Sequence, residues 1–319
     1  MKPKVLMPKV AAELTDNYLA KKGYDVVTVD NPGETELLTV APDAAAVMMI
    51  SKKLSNQIYE QMPNLKVLAR RGVGYDNIDV NAAAEHGVWV TNTPGANARS
   101  VAEAALMDMM MLARQFRAVD QRTRQGDWAG AYQLMGHDLS GATVGIIGFG
   151  HVGQALAQLL TSFGVRTLIN ARQPVETTLG TFVDRETLLR EADFVSINVA
   201  ANAETFRSID ETAFKLMKPT AFLVNLARGA IVDESAMIHA LSTGEIAGAA
   251  LDVFEVEPLP QNSPLYRLDN VILTPHVGAN TVEANREMAM TAAKMIDLVL
   301  TGQTPTYAVN QPKMASQTS

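Results

Sequence analysis

The sequence predicts an α/β protein of two domains, each a doubly wound parallel sheet with helices on both faces. Three observations predict it. Short apolar runs alternate with helix-forming stretches along most of the chain, the pattern of repeated strand–helix–strand units. That alternation is broken once, by a long helical stretch and a polar, glycine-rich segment, and then restarts. The chain has 319 residues, which at roughly 150 residues per domain suffices for two such units.

The elements follow in order. Lys4–Met7 reads as a strand, Leu14–Lys22 as a helix stopped by Gly23, and Val26–Val29 as the next strand. Ala45–Ile50 reads as a buried strand, Leu54–Met62 as a helix, and Val67–Ala69 as a strand before RRGVG. Val88–Val90 is a strand ahead of the turn-rich NTPGAN. A long helix is expected over Ser100–Arg117, with Val101, Ala104, Ala105, Met109 and Leu112 as its apolar face. Ser100 and Glu103 have the spacing of a capping box, and Met107, Met109, Met110 and Met111 read as core filler. The stretch QGDWAGAYQLMGHDLSG reads as a loop joining two units.

The second series opens with the strand TVGIIG from Thr143, the helix Gln154–Phe163 and the strand Thr167–Ile169. Phe194–Asn198, Phe222–Asn225, Ala249–Val253 and Val271–Leu273 are further strands, and Val282–Leu300 is the last helix. TGQTPTYAVN reads as turns, and the final MASQTS as a disordered tail.

Composition excludes several classes. Apolar residues are 47% and charged residues 19%, a balance that supports a real core rather than disorder. The longest apolar run, Ala44–Ile50, is far short of the roughly 20 residues that cross a bilayer. MKPKVLMPKV has neither the apolar stretch nor the cleavage site of a signal peptide. There are no cysteines, so no disulfide scaffold, thiolate zinc site or cysteine nucleophile is expected, and the chain suits the cytoplasm. The net charge of −7, evenly spread, speaks against a nucleic-acid surface.

Gly148-Phe149-Gly150-His151-Val152-Gly153 fits GxGxxG between a strand and a helix, the context in which that pattern binds a dinucleotide. The first glycine allows the tight turn, the second admits a pyrophosphate, and the third lets helix and strand pack closely. An acid that accepts from the ribose 2′-hydroxyl normally follows roughly 20 residues on. Here Asn170-Ala171-Arg172 stands at that place, and no acid occurs from Gln154 to Val175. A guanidinium suits a 2′-phosphate, so NADP is expected over NAD, although Arg172 is also compatible with an ordinary surface residue.

Three later segments each follow a strand: Asn225–Gly229, Asp252–Pro258 and Thr274–Gly278. Ligands of an open parallel sheet sit outside the carboxyl ends of its strands, so Arg228, Glu257 and His276 should emerge on the same edge as the glycine turn. His86, His137 and His239 have no such setting.

Taken together, ARRGVGYDNIDV at 69–80, NTPGANARSVAE at 92–103, GIIGFGHVGQALA at 145–157, NLARGAIVDE at 225–234, AALDVFEVEP at 249–258 and LTPHVGAN at 273–280 resemble the D-isomer-specific 2-hydroxyacid dehydrogenases. The likeness runs from about Val5 to Val309. It implies a Rossmann dinucleotide-binding domain over 99–289, inserted into a flavodoxin-like substrate domain made of 1–98 and 290–319. It implies a hydride transfer between NADPH or NADH and a small 2-keto acid, giving a D-2-hydroxy acid.

In that reading His276 is the general acid in reduction, and Glu257 orients the imidazole and favours its charged form. Arg228 binds the carboxylate, aided by Arg70 and by the backbone amides of Gly72, Val73 and Gly74. Asp252 accepts from the nicotinamide carboxamide, and Gly278, Val101, Val199, Ala200 and Ala227 border the cofactor. The family usually has His and Pro within Ser196–Ala201 and Thr where Leu226 stands, so contacts there are expected to differ. Homodimers through the cofactor domain are typical, with the loop around Trp128 and Tyr132 reaching toward the partner.

Glyoxylate and hydroxypyruvate are the expected substrates, because NARQP resembles the NADPH-using reductases of those acids. The alternative is D-3-phosphoglycerate oxidation, for which Lys52, Lys53, Arg70 and Arg71 could meet a phosphate. A reading of another class is a dinucleotide-sensing corepressor, against which the intact Arg228, Glu257 and His276 argue.

Overall fold

The computed structural model describes residues 2–313, so the expectation for MASQTS falls outside the described residues. The described residues form two compact units, one of residues 2–97 and 280–313 and one of 98–279. The last long helix, Val282–Leu300, therefore belongs wholly to the first unit, where the sequence-based boundary had divided it near 290.

The first unit is a five-stranded parallel sheet of β1 (Lys4–Pro8), β2 (Asp25–Val29), β3 (Ala46–Met49), β4 (Val67–Arg70) and β5 (Trp89–Thr91). Its order, β2-β1-β3-β4-β5, reverses direction between β1 and β3. Alternate side chains serve opposite faces. Val5 and Met7 pack with Ala289, Ala292, Ala293 and Ile296 of the last helix, while Leu6 packs with Leu37, Ile58 and Met62 on the other side. Burial on both faces explains why these strands read as nearly continuous apolar runs.

The second unit is a seven-stranded parallel sheet of β6 (Thr143–Ile147), β7 (Arg166–Asn170), β8 (Thr181–Phe182), β9 (Phe194–Ile197), β10 (Phe222–Asn225), β11 (Gly248–Leu251) and β12 (Val271–Leu273). Its order is β12-β11-β10-β9-β6-β7-β8, with the reversal between β6 and β9. That is the Rossmann arrangement, whose crevice opens at the reversal. One face carries Val144, Ile146, Val224 and Ala250 against the helices Ala98–Ala113 and His151–Leu160. The other carries Val195, Leu223, Ala249 and Leu251 against Leu188, Phe214, Met237 and Leu241.

Several helices differ from expectation. The stretch Leu14–Lys22 is broken, with helices at Lys9–Leu14 and Tyr18–Lys21 separated by Asp16 and Asn17 in the left-handed region. Of Leu54–Met62 only Ile58–Gln61 is helical. The helix expected from Ser100 begins at Ala98, so Ser100 lies inside the first turn and Glu103 pairs with Arg99 rather than forming a capping box. It ends at Ala113, where Gln115 at φ 48° turns the chain into a second helix, Phe116–Arg124. The expected loop beyond contains the helix Trp128–Tyr132, capped by Asp127, whose side chain accepts from the Gly130 amide. Of the four methionines, Met109 is buried, while Met107 and Met110 are exposed, because they lie on the helix's outer face.

Candidate active site

Strand register sets the stage. Ile147 of β6 is level with Ile197 of β9, Ile197 with Asn225 of β10, Asn225 with Leu251 of β11, and Leu251 with Leu273 of β12. The segments that leave these five strands, carrying Gly148, Asn198, Arg228, Asp252 and His276, therefore emerge along one edge.

The glycine turn is built for close approach. Gly148 has φ 96°, and a Cβ there would lie 2.5 Å from the Asn198 carbonyl oxygen. A Cβ on Gly153 would lie 2.1 Å from the Gly148 oxygen, so only glycine lets the helix sit this close to the turn. Gly150 precedes the helix His151–Leu160, and a Cβ on it would meet no atom of the chain within 4 Å. Open space in front of a helix N-terminus suits a diphosphate. His151 faces solvent, and Val152 is half-buried in the first turn.

A cavity of about 740 Å³ opens beside this turn, lined among others by Asn170, Ala171, Arg172, Val199 and Ala200. Its size and the open space at Gly150 fit a dinucleotide. Asn170 donates its side-chain amide to the Val183 carbonyl, so that end of the side chain is committed to the fold. Arg172 is exposed and stands 3.5 Å from Glu204, a pairing that sequence inspection missed because Glu204 arrives from the segment after β9. Arg185 also lines the cavity and donates to the Ser208 carbonyl. Asp184, which caps the helix Arg185–Glu191, was the available signal for that segment.

At the other end of the edge, His276 Nδ1 lies 2.8 Å from Glu257 Oε2. The other carboxylate oxygen of Glu257 accepts from the Phe254 amide at 3.1 Å. A carboxylate partner makes Nδ1 the protonated nitrogen and leaves Nε2 for chemistry. His276 itself has φ 57°, an uncommon conformation for a side-chain-bearing residue, and its amide donates to the Asp252 carbonyl at 2.8 Å.

Asp252 holds this turn in shape. Its buried carboxylate accepts from the Thr274 hydroxyl at 2.7 Å, the Val277 amide at 2.8 Å and the Gly278 amide at 2.8 Å. A Cβ on Gly278 would approach Leu226 at 2.9 Å and Asp252 at 3.0 Å.

Arg228 is half-buried just beyond β10, and its Nη1 donates to the Ala227 carbonyl. Asn225 braces the turn by donating to the Arg228 carbonyl at 3.0 Å and accepting from the Ala227 amide at 3.1 Å. A Cβ on Gly229 would lie 1.9 Å from the Phe254 carbonyl carbon, so the Arg228 turn packs directly on the segment that carries Glu257. Arg207, paired with Glu255 at 2.5 Å, ties that segment down further. Arg228, Glu257, His276 and Asp252 are thus gathered at neighbouring strand ends.

In the first unit, Gly72, Val73 and Gly74 form the turn after β4. Its outer carbonyls are engaged by the Asn92 side chain on Val73 at 2.8 Å and the Thr93 amide on Gly72 at 3.1 Å. Arg70 donates to the Arg71 carbonyl at 2.6 Å and lies against Gly72, where a Cβ would meet its guanidinium. Val101 is buried on the inner face of the helix Ala98–Ala113. That face also carries Asp108, which sequence reading overlooked; the signal was an acid among the apolar positions 101, 105, 109 and 112. No cluster of metal-ligating side chains occurs among the described residues.

A seven-stranded parallel sheet with a glycine turn at its reversal and an imidazole–carboxylate pair on the same edge is a dinucleotide-binding domain equipped for acid–base chemistry. Residues 106–278 match the family model described as D-isomer specific 2-hydroxyacid dehydrogenase, NAD binding domain. The chain is 40% identical over 323 residues to a glyoxylate reductase of Thermofilum pendens, covering 97% of this chain and 95% of that one. It is 39% identical over 330 residues to a glyoxylate reductase of Thermococcus litoralis, covering 99% of each. It also superposes on an NADPH-dependent glyoxylate/hydroxypyruvate reductase of Sinorhizobium meliloti, solved with NADP and malonate, with a TM-score of 0.86, 30% identity and coverage of 99% and 100%. The protein belongs to the D-isomer-specific 2-hydroxyacid dehydrogenase family and is an oxidoreductase. Among the described residues no helix is long and apolar enough to cross a membrane.

Proposed function

We propose that the protein is a reductase of small 2-keto acids of the glyoxylate and hydroxypyruvate type, forming D-2-hydroxy acids with NADPH preferred over NADH. The observation that carries this reading is the 2.8 Å pair of His276 and Glu257 on the edge that holds the glycine turn. The nicotinamide, when bound, supplies the hydride to the keto carbon. His276 supplies the proton to the keto oxygen from Nε2, with Glu257 accepting from Nδ1–H and fixing the ring. Arg228 grips the carboxylate through two parallel hydrogen bonds and polarises the carbonyl. The turn Gly72–Gly74 and Arg70 are the first unit's candidates for carboxylate binding. The second unit is the cofactor domain, and the first the substrate domain.

NADPH is favoured by Arg172 in the cavity, with Ala171 in place of an acid. Glu204, 3.5 Å from Arg172, supports NADH as the second reading, because its carboxylate could accept from a 2′-hydroxyl. A homodimer is favoured by the exposed Trp128, Tyr132 and Met135, which are 74%, 86% and 83% exposed in the single chain and make an apolar surface that a second copy would cover. The cysteine-free composition suits the reducing cytoplasm.

The test is a panel of 2-keto acids with each reduced cofactor. Glyoxylate or hydroxypyruvate with NADPH should give the highest kcat/KM. No turnover of any 2-keto acid would overturn the reading of the site, and a higher kcat/KM with NADH would overturn the cofactor preference.

A further inference from the structure

Asp108 is a buried acid for which the proposed reaction has no use. It lies on the inward face of the helix Ala98–Ala113, between Ala105 and Leu112, and is 3% exposed. One of its carboxylate oxygens, Oδ1, is buried without a hydrogen-bond partner. A buried carboxylate left in that state is costly, so the neutral acid is favoured.

Its surroundings make its charge consequential. The helix packs across β10 and β11. β10, Phe222–Asn225, offers no titratable side chain, and β11 leads directly into Asp252. The helix His151–Leu160 brings only the exposed His151, and the helix Phe116–Arg124 carries Arg117, Asp120, Arg122 and Arg124, none of them buried. On its own helix, Arg99 and Glu103 pair with each other at the surface. The helix that carries Asp108 lies over β11, whose next residue is the buried Asp252, and the charge of Asp252 adds to burial in disfavouring the Asp108 anion. Asp252 in turn holds the turn of His276 and Gly278 through its three hydrogen bonds.

We propose that Asp108 is a positioning residue behind Asp252, a buried proton store whose charge biases the cofactor site between oxidised and reduced nicotinamide. The inference rests on the dinucleotide reading above. The oxidised ring carries a positive charge and the reduced ring does not. An ionised Asp108 therefore favours the oxidised cofactor, and a protonated Asp108 removes that advantage. Binding of the oxidised form drives the Asp108 proton into solvent, and binding of the reduced form retains it. Burial and the Asp252 charge raise this carboxyl to about 7, which puts the exchange near neutrality.

The experiment is titration of the full protein with NADP⁺ and with NADPH from pH 5.5 to 8.5, for the wild type, Asp108→Asn and Asp108→Leu. A charge–charge interaction of about 1.4 kcal/mol changes affinity by about tenfold. In the wild type, the affinity for NADP⁺ relative to NADPH should rise about tenfold as pH passes through 7. NADP⁺ added to weakly buffered protein near pH 6.5 should release a proton. In both variants the ratio should rise by about tenfold less than in the wild type and the release should fall accordingly, with both cofactors still binding. A pH-independent ratio in the wild type, or the same pH dependence in both variants, overturns the inference while leaving the dinucleotide reading intact. Failure of the wild type to bind either cofactor overturns that reading and the inference with it.

Discussion

Replacing Asp108 by leucine should change how stability depends on pH, without any ligand. In the folded chain this carboxyl is raised from 3.8 to about 7, chiefly by burial and further by the charge of Asp252. Between those values the folded protein holds a proton that the unfolded chain has released. The contribution of Asp108 to stability therefore falls as pH rises through that window and is flat above it, the reverse of a salt-bridged acid. At about 1.4 kcal/mol per pH unit, the full span amounts to about 4 kcal/mol. With Asp108→Leu this loss is absent, because no charge remains to be buried. The assay is chemical denaturation followed by circular dichroism from pH 4 to pH 8 for both proteins. Any packing change from leucine contributes a constant offset, and other acids titrate alike in both, so the difference between the curves isolates Asp108. The variant should gain on the wild type by about 2–4 kcal/mol between pH 4 and 7 and no further beyond. Parallel curves over the whole range would refute the reasoning.

Two other substitutions probe separate parts of the account. Arg228→Lys keeps the charge but loses the two-pronged grip on a carboxylate, so KM for the keto acid should rise by roughly 10- to 100-fold with NADPH affinity unchanged; steady-state kinetics with independent cofactor titration checks this. Trp128→Ser with Tyr132→Ser removes the two large aromatic side chains from the exposed surface, and sedimentation should show a dimer for the wild type and monomers for the double variant, equal mass for both counting against the proposed dimer surface.

Much of the fold was legible because both sheets are buried on two faces. Runs such as Ala46–Met49 and Phe194–Ile197 have no alternative to a buried strand once turn residues bound them. β8 escaped notice because a two-residue strand, Thr181–Phe182, has no periodicity to read. The helices Arg185–Glu191, Glu211–Leu216 and Glu234–Thr243 are short, but each is announced by an aspartate, Asp184, Asp210 and Asp233, accepting from the third amide of its helix. The break at Gln115 had no such marker, since a non-glycine residue takes the left-handed conformation there. At the site, Arg228, Glu257 and His276 could be singled out because strand ends and parallel topology determine where loops go. The Arg172–Glu204 pair and the Asp108–Asp252 coupling join residues far apart in the chain, and local pattern carries no trace of them.

The most direct test of the central claim is the turnover of His276→Ala. The claim is that the imidazole beside Glu257 hands its proton to the keto oxygen. Glyoxylate reduction should be followed by loss of NADPH absorbance under saturating substrate, with NADPH affinity measured separately. The account predicts a fall in kcat of roughly 10²- to 10⁴-fold and unaltered cofactor binding. A variant that turns over within a few-fold of wild type would contradict it.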